Sequence, residues 1–327
     1  MTANVQSMAY VGAEPWHGLG IAVQQGVKAH EMLRAAGLDW RVVVRPARGA
    51  KPTRKRHGED IYSRYEVVRL PRPERNEEEV VFGIVTDRYE PLQNHEAFEF
   101  FDLLVDRKMA FFETAGALGQ GERVWIMARM PDPITVVPGD ECQKYLLLSN
   151  THTGRGAVTV KFTAVRVVCQ NTLLLAMEDG QQAFRVRHSK IMTDRLRGIA
   201  ELIFMASAVY SKAAQLFRRL TEIKLSDHVL EKYLEFVFPR TDAQKKKDKI
   251  PSKWIRVRNL LEQTADLQMD GVKGTLWAAY NAITRFEDYR MIEDEVAEAR
   301  LNRVWFGSSA NVKLMALQAA AKLAEAN

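Results

Sequence analysis

Cysteine is scarce. The 327 residues contain two, Cys142 and Cys169, and neither stands in a C-x-x-C pair. Neither a disulfide framework nor a thiolate zinc site is expected, and a reducing compartment, the cytoplasm, is the expected location. Long apolar runs are missing too: no stretch of about 18 uncharged apolar residues exists, so no spanning helix is expected. The N-terminal MTANVQSMAYVGAEPW has neither the basic run nor the apolar segment of an export signal. A phosphate-binding loop is lacking, because Gly116-Ala-Leu-Gly-Gln-Gly121 has the glycines without the following Lys-Ser/Thr. The dinucleotide fingerprint and the G-x-S-x-G elbow are absent as well. The seven histidines are scattered, with no i,i+4 pair, so no metal site and no cofactor is expected.

What is present is an ordinary globular composition with a basic excess, 47 Lys+Arg against 41 Asp+Glu, or +6. The chain is long enough for one large domain or two ordinary ones. Residues 1–25 are punctuated by Gly12, Pro15, Gly18 and Gly20 and read as an irregular arm. From 26 to 190 the pattern is α+β. A short helix at His30–Ala36 ends at Gly37, and a strand follows at Trp40–Arg45. Runs at 61–70 and 79–86 flank a turn-rich loop and predict a hairpin. Asn94 is placed to cap a helix to about Arg107, strands are expected at 123–130, 144–150 and 157–168, and Asn171 is expected to cap a helix through Met177. From 191 to 327 helical periodicity takes over, with segments at 193–222, 227–238 (capped by Asp227), 253–268, 274–299 and 309–325. The fold class expected is therefore α+β: an antiparallel sheet with helices, then an all-helical part.

The charge is uneven. Seven bases and no acid lie between Arg41 and Arg56, and no acid lies between Cys142 and Met177. Arg41, Arg45, Lys55, Arg56, Lys144, Arg155, Lys161, Arg166, Arg185, Arg187 and Lys190 are the candidate nucleic-acid-binding residues, since cations on sheet faces and loops suit a phosphate backbone. Solvated strand faces are the bland alternative. A third cluster runs from Arg240 to Arg258, including Lys245–Lys249. Asp132, Glu141 and Lys144 loosely resemble a Mg²⁺ nuclease trio, although Glu141 and Lys144, three apart, fall on opposite strand faces.

Five segments carry a resemblance: Pro15-Trp-His-Gly-Leu-Gly20, Val85-Thr-Asp-Arg-Tyr-Glu-Pro-Leu-Gln-Asn94, Phe162-Thr-Ala-Val-Arg-Val-Val-Cys-Gln-Asn-Thr172, Gly274-Thr-Leu-Trp-Ala-Ala-Tyr-Asn-Ala-Ile-Thr284 and Trp305-Phe-Gly-Ser-Ser309. In this order the chain resembles the phage/plasmid-like protein family, a domain of unknown function of phages and mobile elements. That resemblance implies nucleic-acid work in a bacterial host cell. A weaker architectural likeness is to ring-forming single-strand annealing proteins, which need no ATP. The expected function is binding and annealing of single-stranded DNA in recombination or replication. The expected partners are single-stranded DNA, further copies of the chain in an oligomer or ring, and a phage exonuclease or host single-strand-binding protein, with no membrane. Catalysis is not required; a Mg²⁺-dependent nuclease, or an interaction module that redirects a host factor, are the alternatives.

Overall fold

A computed structural model describes residues 5–12, 20–166, 171–174, 184–189, 206–290 and 297–326. The architecture is mixed α+β, with antiparallel-dominated sheets first and helices mostly in the C-terminal half. The described residues fall into two compact units. One takes those up to Pro131, Tyr145–Lys161 and the 184–189 stretch; the other takes Asp132–Lys144, Phe162–Arg166, 171–174 and those from Ala206 onward. The division is not a single cut near residue 190: two stretches of strand sequence go with the helices.

The first unit contains β1 (Val5–Val11), β2 (Ile21–Val23), α1 (Ala29–Ala35), β3 (Val42–Pro46), β4 (Pro52–Arg56), β5 (Glu59–Tyr62), β6 (Tyr65–Arg69), β7 (Val80–Val85), α2 (Asn94–Val105), β8 (Phe111–Leu118) and β9 (Arg123–Arg129). The expected N-terminal arm is partly strand. β1 lies antiparallel to β8 and parallel to β2, because the breaking glycines cluster between β1 and β2 rather than within them. Gly116 makes this pairing possible: a methyl there would lie 2.6 Å from the Ser7 carbonyl and 2.5 Å from the Trp125 ring. The glycines that mimic a phosphate loop are thus packing devices.

A second sheet runs β3-β6-β7, all antiparallel, with β7 at an edge, and β4 and β5 form a separate hairpin. α1 and α2 cover the large sheet, and Met32, Phe98, Phe101, Val124, Trp125 and Ile126 are buried there. Asn94 is not the cap of α2. Gln93 occupies that position in a capping box with Glu96, and the Asn94 amide donates to Leu38 O instead.

β10 (Ile134–Val137), β11 (Asp140–Thr151), β12 (Val158–Arg166), β13 (Asn171–Leu174) and β14 (Phe184–Val186) complete the strands, β11 and β12 contributing residues to both units. Residues 171–174 pair with Arg166–Thr163, so Asn171 begins a strand and not a helix. In the second unit follow α3 (Ala206–Glu222), α4 (Asp227–Val237), α5 (Asp242–Lys246), α6 (Ser252–Gln263), α7 (Leu276–Tyr289), α8 (Ala297–Trp305) and α9 (Ser308–Ala326). The expected segment 193–205 lies outside the described residues. Ser226 rather than Asp227 caps α4, its hydroxyl accepting from Val229 N. α7 is buried almost all round, with Trp277 and Tyr280 fully enclosed, as expected of a helix apolar on every face. Among the described residues no helix is long and apolar enough to cross a membrane.

Candidate nucleic-acid interface

The stretch from the end of β7 to Asn94 is a hub within the first unit. Three separate chain segments attach to it, one of them at two points. From β4, Arg54 reaches Asp87 with Nη2 3.3 Å from Oδ2. From the β11–β12 loop, Thr153 and Gly154 press on β7: a methyl on Gly83 would lie 2.4 Å from Thr153 O, and one on Gly154 would lie 2.3 Å from Val85 Cγ1. From the end of β14, the His188 ring packs on Tyr89 at 4.8 Å between centroids, with Nδ1 3.2 Å from Glu90 O. From β11, Asn150 donates to Leu92 O.

Beneath the loop His152 is fully buried. Its ring stands 5.3 Å from Trp40 and 5.7 Å from Phe82. Its Nε2 lies 3.3 Å from Asn94 Oδ1 and 3.4 Å from Asn150 Nδ2, and its Nδ1 has no partner among the described residues. Burial, with His188 as a further like charge, holds its pKa down to about 3. His152 is therefore a neutral packing element that fixes the root of the loop. Arg69 lies over the Trp40 ring at 4.8 Å and donates to Gln120 O, closing the same core.

The surface consequence is electrostatic. Arg88 sits on the hub, Arg155 on the loop it supports, and Arg187 beside His188. All three are exposed, and none pairs with an acid among the described residues. Arg185 is exposed on β14, in register with Thr159. Arg54 is less available in comparison, because Asp87 already holds one of its nitrogens.

The other sequence candidates are placed less uniformly. Arg41 is exposed. Arg45 is engaged by Glu66 at 2.7 Å and Glu79 at 2.8 Å. Lys55 is exposed but lies in register with Asp60, and Arg56 with Glu59. The acid-free run at 41–56 is thus not acid-free in space, because antiparallel pairing lays acids beside it. Lys161 is buried on β12, both faces of which are covered. In the second unit Lys144 is half-buried with its ammonium 5.6 Å from the Tyr210 ring centroid, and burial lowers its pKa.

Arg166 departs furthest from expectation. It is fully buried and held by Asp140 and Asp266, both at 2.6 Å, so its donors are committed and it cannot serve a polyanion. Lys190 lies outside the described residues. Glu141 is exposed next to the committed Asp140, and the described residues contain no group of three His, Cys, Asp or Glu suited to a metal ion.

The close approach of β7 to the loop gives a direct check. Gly83→Ala is expected to cost about 1–3 kcal/mol, since the added methyl meets a backbone carbonyl rather than a mobile side chain. Urea denaturation measures it; an unchanged midpoint would show that loop and strand are not in contact.

Sequence comparison places this geometry in a family. No curated protein and no solved structure matches the chain. Residues 81–305, more than half of the length and including the hub, match the model of a family described as Domain of unknown function (DUF932). The chain belongs to the DUF932 family.

Proposed function

We propose that the chain is a phage- or mobile-element-type protein that binds single-stranded DNA and promotes annealing without ATP, working as an oligomer in the bacterial cytoplasm. The observation that supports this reading is that the chain segments carrying Arg88, Arg155 and Arg187, all three exposed, meet at one hub, which Arg54 also reaches through Asp87. Guanidinium groups from unlinked segments, exposed and mostly unpaired, form a track for phosphates rather than a set of local ion pairs. The aromatic ring on the hub, Tyr89, is half-buried and packed on His188. Phosphates would thus be gripped and bases left uncovered, which suits pairing with a second strand better than base readout.

Retention of a labelled oligonucleotide should be clear at low salt. With about four phosphates neutralised, log affinity should fall with log salt at a slope of roughly −3. The combined substitution Arg88→Ala, Arg155→Ala and Arg187→Ala should flatten the slope by about 2, alike on every sequence. No retention in dilute buffer, or an unchanged slope in the triple variant, would sink the proposal.

A further inference from the structure

The second unit holds a groove that the DNA-binding reading does not use. It has a volume of about 430 Å³ and lies between α6 and α7. From α6 come Arg256, Asn259, Leu260 and Gln263, spaced i, i+3, i+4, i+7 and so on one face. From α7 and its end come Arg285, Phe286, Tyr289 and Arg290. We propose that this groove binds a nucleoside phosphate, its ring against Tyr289 and its phosphates on Arg256 and Arg285.

Three features carry the assignment. The first is charge: three arginines and no acid among the described lining residues. Two of them are anchored from outside the lining, Arg285 by Asp266 at 3.5 Å and Arg290 by Glu287 at 3.5 Å. Arg256 is exposed and pairs with no acid among the described residues. A positioned fork beside an uncommitted one is the arrangement a phosphate chain needs.

The second feature is the ring. Tyr289 is exposed, with the Arg285 guanidinium 5.5 Å and the Arg300 guanidinium 5.6 Å from its centroid. Both guanidiniums lie over the ring, so ring and flat cations together offer a layered surface on which a planar base can stack. The third is size and lining. Leu260 and the buried Phe286 give apolar surface, and Asn259 and Gln263 give amides that donate and accept. The volume is in the range of small-molecule sites and well beyond the needs of a single phosphate ion.

The test uses the full chain and a fluorescent ADP analogue carrying an N-methylanthraniloyl group on the ribose. Saturable binding is expected, displaced by ADP and at least about tenfold less well by pyrophosphate or adenosine, since phosphate and ring each contribute. Arg256→Glu should weaken the analogue by about tenfold or more with an unchanged thermal midpoint, because the side chain is exposed. Tyr289→Leu should erase the preference for ADP over pyrophosphate. A 5′-phosphorylated oligonucleotide that competes where its 5′-hydroxyl counterpart does not would identify a strand end as the source; competition by ADP alone would identify a free nucleotide. Absence of saturable binding, equal competition by pyrophosphate, or indifference to both substitutions overturns the proposal. Retention of a 5′-hydroxyl oligonucleotide should be the same in Arg256→Glu, which separates failure here from failure of the DNA-binding reading.

Discussion

Asp140→Ala is expected to destabilise the second unit by about 3–5 kcal/mol. Asp140 and Arg166 are both fully buried, and they meet through two parallel hydrogen bonds, Nε to Oδ1 at 2.6 Å and Nη2 to Oδ2 at 2.9 Å. The same carboxylate accepts from Trp277 Nε1 at 2.8 Å. Arg166 is completed by Asp266, which takes Nη1 on its side chain and Nη2 on its backbone carbonyl. Every nitrogen of the guanidinium therefore has a partner. Truncating Asp140 leaves a buried cation with one carboxylate instead of two, and leaves the indole N–H of a fully enclosed Trp without an acceptor. The network itself need not be net stabilising, because two charges had to leave water to make it. The double variant Asp140→Leu with Arg166→Met should accordingly lose much less than Asp140→Leu and Arg166→Met lose singly, added together. Urea midpoints of the four proteins close the cycle, read on the transition of the second unit because a two-unit chain need not unfold in one step. A loss below about 1 kcal/mol in Asp140→Ala would show that Arg166 is not buried as described.

Arg166 also marks how much could be read from sequence. Its parity is that of Val158, Val160, Phe162 and Ala164, all buried, so strand alternation alone places it inward. A charge on an apolar face calls for an internal partner, and Asp140 and Asp266 lie too far along the chain to be paired with it by spacing. Of the helices from Ala206 onward, α3, α4, α6, α7 and α9 were legible because long 3.6-residue periodicity survives single polar interruptions, whereas the short α5 was missed and α8 begins where the segment expected at 274–299 ends. β8 was not: Phe111–Leu118 includes Ala115, Gly116 and Ala117, which have little strand preference and fit only because β1 and Trp125 come close. The caps slipped by one residue at Gln93 and Ser226, where neighbouring polar residues compete for one position.

The candidate interface was legible as composition and not as geometry. Arg155 and Arg187 stand out as bases in acid-poor stretches, but Arg45 does too, and it is neutralised by Glu66 and Glu79 from neighbouring strands. What separates them is tertiary pairing, which a linear charge count cannot see. Arg88 was hidden in the opposite way. It sits in Val85–Asn94, quoted for resemblance rather than charge, and its value comes from the segments that converge on that stretch.

That convergence depends on His152, and His152 makes it sensitive to acid. In the unfolded chain a histidine titrates near 6.5, whereas in the folded unit burial keeps this one neutral down to about 3. The unfolded state thus binds a proton that the folded state refuses between those values, and stability falls as the pH drops through that window. The slope from one such group rises from half its value at pH 6.5 to about 1.4 kcal/mol per pH unit, so about 1.6 kcal/mol should be lost between pH 6.5 and 5. His188, its pKa also lowered by burial, acts in the same direction. Glu77, held down to about 2 by its hydrogen bond from Arg72, adds a loss only below its ordinary range near 4.5. Asp102 and Glu113, raised by burial, oppose the trend. The variant His152→Gln separates the terms: it should be less stable at pH 7 yet lose about one proton from the slope between pH 6.5 and 5. Urea midpoints of the first unit across that range supply the measurement. An identical slope in both proteins would mean that His152 is solvated and that the loop carrying Arg155 is not rooted on it.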